Sequence, residues 1–117
     1  MHAMTAILPC TDLDAAARFF ARLGFAEAAA WPGYRILRHP EGGDLHLNET
    51  TPDWLPAGRN PFGLYFYSAD VDALAREFSG EILGKAGKPE HKPWGTYEFA
   101  LNGPNDALVR IGRRSAI

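Results

Sequence analysis

One cysteine in 117 residues leaves no internal disulfide to build on, and that residue, Cys10, stands in the apolar run Ala-Ile-Leu-Pro-Cys. A reducing cytoplasm is the compartment such cysteine usage suits. The opening residues carry no secretory h-region, and no apolar run approaches the ~20 residues that a membrane span needs. An excess of one charge is missing too. Twelve Lys and Arg against fourteen Asp and Glu leave a formal net charge of −2 with the signs interspersed. No basic stripe is therefore available for nucleic acid. No Ser-His-Asp set is evident either: the four histidines are scattered, with His2 expected in a frayed terminus. Strand parity turns Cys10 toward the following helix, so nucleophilic catalysis finds no support.

What the chain does hold is aromatic residues, 12% of the total, punctuated by 12 glycines and 9 prolines. A chain of this length buries roughly two-thirds of the surface that its unfolded form exposes. That is enough for one compact core, and part of the aromatic content is expected to line a pocket instead. The stretch Lys92 to Gly112 reads as a β-hairpin, two runs rich in β-branched and aromatic residues flanking Asn102-Gly103-Pro104-Asn105-Asp106. At its entrance Trp94 stands between Pro93 and Gly95, placed to overlook a cleft.

Taken in order, Thr5 to Cys10 predicts a short strand with Ala6, Leu8 and Cys10 on one face and Thr5, Ile7 and Pro9 on the other. Asp12 caps a helix whose apolar positions Leu13, Ala16, Ala17, Phe20 and Leu23 run to a stop at Gly24. Phe25 to Trp31 reads as a strand, and Tyr34 to Arg38 with Asp44 to Glu49 as a hairpin. Residues 51–61, with three prolines, Trp54 and no period, read as a linker. The opening pattern then returns. Phe62 to Tyr67 is a strand, Asp70 caps, and Val71, Leu74, Ala75 and Phe78 recur at helical spacing. A short strand is expected at Glu81 to Leu83 before the final hairpin.

This return is an internal repeat. Asp12-Leu13-Asp14-Ala15 matches Asp70-Val71-Asp72-Ala73 at an offset of 58, and Leu45-His46-Leu47 matches Val109-Arg110-Ile111 at an offset of 64. Self-similarity of this kind sets the architecture. The expectation is an α+β fold of two tandem βαβββ modules, 1–50 and 62–112, forming one domain over 1–112. Neither module can bury its sheet alone.

The opening run Leu-Pro-Cys-Thr-Asp-Leu-Asp-Ala-Ala-Ala-Arg-Phe-Phe-Ala-Arg-Leu-Gly-Phe, Gly-Tyr-Arg-Ile-Leu at 33–37, Asp-Val-Asp-Ala-Leu at 70–74, Pro-Trp-Gly and Glu-Phe-Ala-Leu within 93–101, and the ending Leu-Val-Arg-Ile-Gly carry a resemblance. The sequence resembles the vicinal oxygen chelate superfamily (glyoxalases, bleomycin resistance proteins, dioxygenases), and within it the bleomycin resistance proteins. One departure is Asn102-Gly103-Pro104-Asn105-Asp106, where that family usually carries Asp-Pro-x-Gly. It is expected to alter the turn more than the site.

The resemblance implies that the superfamily's enzymes draw metal ligands from the first and last strands of each module. The matching positions here are Thr5, Gly63, His46 and Arg110. A hydroxyl is a poor first-row metal donor, a glycine offers nothing, and a guanidinium repels a divalent ion. Only His46 remains competent, with Glu49 or Glu98 as conceivable partners in an atypical site. No metal and no cofactor are expected. The resemblance implies instead a homodimer with two crevices at its interface, each stacking a planar, bleomycin-like or other aromatic small molecule between rings. The positions matching such rings are Trp94 and Tyr34. Parity adds Tyr65 and Tyr67, with Leu64 and Phe66 against the helix. Gly95, Trp54, Glu98 and Arg110 complete the candidate ligand-binding set, Glu98 for a cationic group and Arg110 for an anionic one or as the partner of Glu98. Sequestration without chemistry is the expected function. The alternative is a metal-dependent enzyme of the same superfamily, of lyase, isomerase or dioxygenase type, with non-standard ligands.

Overall fold

The structure, a computed structural model, describes residues 3–56, 58 and 60–115. His2 lies outside the described residues, as do Ala57 and Arg59 of the expected linker. The chain divides into two compact units, Met1–Asn60 with Pro104–Asp106, and Pro61–Gly103 with Ala107–Ile117.

In the first unit, Asp12 accepts a hydrogen bond from the Ala15 N–H at 3.0 Å, satisfying an otherwise unpaired donor at the start of helix α1 (Leu13–Ala21). Leu13, Ala16, Phe20 and Leu23 are buried, as the helical spacing predicts. They pack on strands β1 (Ala6–Cys10), β2 (Ala26–Trp31), β3 (Tyr34–Arg38) and β4 (Asp44–Glu49), in the sheet order β1-β4-β3-β2. Strand β1 runs parallel to β4 with Ile7 beside His46. Its alternation holds: Leu8 and Cys10 are buried and Ile7 is 56% exposed. Burial, with the nearby charges of Asp12 and Glu49, pushes the Cys10 thiol up to about 11, so it stays protonated. The linker is not featureless. Pro52–Trp54 makes one turn of 3-10 helix, and Leu55 behind it is buried.

The second unit repeats the order. Strand β5 (Gly63–Tyr67) precedes helix α2 (Val71–Glu77); β6 (Glu90–His91), β7 (Thr96–Asn102) and β8 (Leu108–Arg114) follow, giving a sheet of order β5-β8-β7-β6. Val71, Ala75 and Phe78 bury against Phe99, Leu101, Val109 and Ile111, while Leu64 and Phe66 are half-buried. The two pairings β1–β4 and β5–β8 place Ile7 beside His46 and Tyr65 beside Arg110, so the repeat of the sequence is a repeat of register.

Two local expectations differ. Asp70 occupies the cap position of α2, but its side chain makes no cap bond; Ser68 Oγ instead accepts the Asp70 N–H at 3.0 Å. Glu81 to Leu83 is not a strand. The chain is still turning out of α2 there, with the Glu81 N–H on the Phe78 carbonyl, and only Ile82 makes an isolated bridge to Leu101. The edge strand comes later, at Glu90–His91, two polar residues with no apolar alternation to announce them. In the hairpin loop, Pro104–Asp106 form a turn in which Asn105 and Asp106 take φ of 54° and 65°, a region that Asn and Asp tolerate. Asn105 belongs to the first unit: its side-chain oxygen accepts the Thr11 N–H at 3.0 Å and its Nδ2 donates to Thr11 Oγ1 at 2.9 Å.

Candidate functional site

Strands β7 and β8 place alternate residues on the sheet face turned away from α2. On that face β7 presents Thr96, Glu98 and Ala100, and β8 presents Arg110 and Gly112. Glu98 organises them. It is only 3% exposed, and its Oε1 accepts three hydrogen bonds: from Thr96 Oγ1, from Tyr65 Oη at 3.1 Å and from Trp94 Nε1 at 3.1 Å. Its Oε2 lies 3.8 Å from Arg110 Nε.

Burial alone pushes the Glu98 carboxyl up. The hydrogen bonds from Thr96, Trp94 and Tyr65 and the charge of Arg110 outweigh burial and hold it below the usual carboxylate range. Tyr65 moves the other way, raised by burial and by the neighbouring Glu98 carboxylate. A depressed carboxylate stabilises the fold fully above its unfolded value, near ~4.3, and that contribution is lost as pH falls through the folded value. Urea midpoints measured from about pH 6 down to pH 3 should therefore fall, and in Glu98→Gln this acid-side slope should be shallower. An unchanged slope in the variant would mean that folding leaves the Glu98 carboxyl at its ordinary value.

Two glycines make the cluster possible. Gly95, at φ 88°, closes the turn from Lys92 to Thr96 and so projects Trp94 beside Glu98. Gly112 lies beneath the Tyr65 side chain; a Cβ there would strike Tyr65 Oη and stand 2.7 Å from Glu98 Cβ and 3.0 Å from the Tyr97 carbonyl. The tyrosine reaches Glu98 across β8 because position 112 is bare. Tyr65 also packs against Tyr67, with ring centroids 4.8 Å apart, and the Arg114 guanidinium sits 5.0 Å from the Tyr67 ring centre. The Trp94 indole, its N–H tied to Glu98, is 61% exposed.

Of the residues singled out from sequence, Trp94, Tyr65, Tyr67, Gly95, Glu98 and Arg110 lie in the second unit, and all six contribute to this cluster or its rim. Tyr34 and Trp54 lie in the first unit. Trp54 is exposed in its 3-10 turn. Tyr34 Oη lies 2.7 Å from His46 Nδ1 with the rings edge to face. The repeat offset of 64 maps Tyr34 onto Glu98 and His46 onto Arg110. Corresponding places in the two units thus carry a tyrosine–histidine pair and a carboxylate–guanidinium pair. Thr96 and Gly112 were missed by sequence reasoning. A glycine inside a strand is the signal that pointed to close approach, and Thr96 shares a strand face with Glu98 two residues on.

The donor set expected of a superfamily metal site does not fit a divalent ion. Thr5 is exposed ahead of β1, Gly63 has no side chain, the His46 Nδ1 is engaged by Tyr34, and Arg110 brings a positive charge. Glu49, three residues along β4 from His46, falls on the opposite face of the strand. Among the described residues, no group of three or more His, Cys, Asp or Glu side chains is placed to hold a metal.

Two tandem modules, each a four-stranded sheet carrying a helix, give the chain the fold of solved structures of bleomycin resistance and bleomycin-binding proteins. No family model and no curated protein matches the sequence. Among solved structures the chain is similar to a bleomycin resistance determinant encoded on the transposon Tn5, at TM-score 0.77 and 24% identity over 99% of this chain and 100% of that one. It is similar to a bleomycin-binding protein complexed with bleomycin, at TM-score 0.78 and 23% identity over 98% and 100%. It is also similar to TioX from Micromonospora sp. ML1, at TM-score 0.74 and 20% identity over 97% and 99%. At these identities the shared property is the fold. Among the described residues, no helix is long and apolar enough to cross a membrane.

Proposed function

We propose that this chain is a bleomycin-resistance-type binding protein, a cytoplasmic homodimer that sequesters a planar, antibiotic-like molecule in crevices at the subunit interface. Binding there uses no metal and performs no chemistry. Residues 1–112 act as one domain, and Trp94, Tyr34, Tyr65, Tyr67, Gly95, Trp54, Glu98 and Arg110 supply the ligand contacts. The observation that carries this reading is the tethered indole: Trp94 is anchored at its N–H by a buried carboxylate while most of its surface is open. A ring held at its polar edge loses little freedom when a flat ligand stacks on it, and offset stacking contributes roughly 0.5–1.5 kcal/mol per pair beyond area burial. The similar structures bound to or named for bleomycin support the ligand class.

Titration with bleomycin, followed by tryptophan emission in the presence of a chelator, tests the reading. Saturable quenching is expected in the parent protein and should disappear in Trp94→Ala. No saturable response in the parent protein would remove the antibiotic assignment, and an unchanged response in the variant would remove Trp94 from the site.

A further inference from the structure

Beside Trp94 the second unit holds a small cavity of about 100 Å³, lined by Lys88, Lys92, Arg110, Glu90, Glu98 and neighbouring strand residues. Its charges are not balanced. Glu98 is nearly saturated, with three donors on one oxygen and Arg110 near the other. Glu90 is then the one carboxylate of the lining left to answer Lys88, Lys92 and the outer nitrogens of Arg110. Neither lysine side chain has an ion-pair partner among the described residues. Arg114, on the same sheet face, adds a fourth cation over the Tyr67 ring. The matching face of the first unit shows no such excess, because Arg38 there is paired with Asp44 at 3.0 Å.

Size narrows the ligand further. A cavity that takes a benzene ring measures roughly 150 Å³. The cavity here, at about 100 Å³, has room for a small anionic group but not for the ring that bears it. That ring is left outside, where the exposed Trp94 indole stands.

We propose that the ligand of this face is a planar aromatic carboxylate, its ring stacked on Trp94 and its carboxylate in the cavity with Arg110 and Lys92. The proposal rests on the ring-stacking reading above and adds the sign of the ligand's charge. Arg110 supplies a forked donor that matches a carboxylate, and Lys92 supplies a point charge on the same rim.

Calorimetric titration with three probes of one shape decides it: 2-naphthoate, the neutral 2-naphthamide and the cationic 2-naphthylmethylammonium. The expected order is naphthoate first, by about tenfold or more over the amide, the factor a charge-assisted hydrogen bond typically supplies. This preference should shrink as salt is raised. Lys92→Gln should reduce it by roughly threefold, and Arg110→Gln should bring naphthoate and naphthamide close to equal, with amide affinity retained. The Lys92 side chain makes no described hydrogen bond, so Lys92→Gln reads the charge even if Arg110→Gln loses the fold. Equal or tighter binding of the amide or the ammonium probe, or a preference for naphthoate that survives both substitutions, overturns the proposal while leaving ring stacking intact. No binding of any of the three overturns both.

Discussion

Gly112→Val should lower the melting temperature by roughly 10 °C, the consequence of about 2 kcal/mol of overpacking in a chain of this size. The glycine is in ordinary extended backbone, so the effect is one of space and not of dihedral angle. A side chain there enters the volume held by Tyr65 Oη and approaches Glu98 Cβ and the Tyr97 carbonyl. Tyr65 has to swing off Glu98, which removes one of the three donors on Oε1 and loosens the tyrosine pair with Tyr67. A double-mutant cycle isolates the cause. In a Tyr65→Ala background the added side chain meets fewer atoms, so Gly112→Val should destabilise less there than in the parent protein. Equal losses in both backgrounds would show that Tyr65 is not what position 112 accommodates.

Glu98→Leu should be the most damaging single substitution on this face. Leucine keeps the volume but leaves the buried Thr96 hydroxyl, the Trp94 N–H, the Tyr65 hydroxyl and the Arg110 guanidinium without their acceptor. A buried polar group stripped of its partner costs about 1–3 kcal/mol, and breaking a buried ion pair about 3–5 kcal/mol. Arg110, Trp94 and Tyr65 reach solvent and recover part of this, so the expected loss is about 3 kcal/mol in urea unfolding. Glu98→Gln keeps a hydrogen-bonding oxygen and should lose roughly half as much. Ligand binding should fall in Glu98→Leu, because the indole is no longer held at its N–H, and fall less in Glu98→Gln, whose remaining oxygen can still accept it. Full stability in Glu98→Leu would show that the three donors find other partners at no expense.

Much of the architecture was legible before any coordinates, for reasons that can be named. Asp12, the spacing of Leu13, Ala16 and Phe20, and the alternation around Ile7 are local signals that tertiary packing reinforces. The repeat was legible because both units preserve register, so a residue match became a strand match. Asp70 misled because its backbone, at φ −100° and ψ 37°, is not in the extended cap conformation that Asp12 adopts, and its side chain makes no bond to the first turn. Strand β6 was invisible because two polar residues at a sheet edge carry no period. In the site, parity found Tyr65 beside Tyr67, and opposite charge suggested Arg110 as a partner for Glu98. It did not show that Glu98 gathers Trp94, Thr96 and Tyr65 onto one oxygen, since that depends on the bare backbone of Gly112 between them.

The most direct test of the tethered-ring account is a titration of indole-¹⁵N-labelled protein with metal-free bleomycin. The chain has three tryptophans, so three indole N–H signals are expected, with that of Trp94 assigned by its loss in Trp94→Phe. The account predicts that the Trp94 signal moves saturably as ligand is added. A Trp94 signal that stays in place to saturating ligand would contradict it.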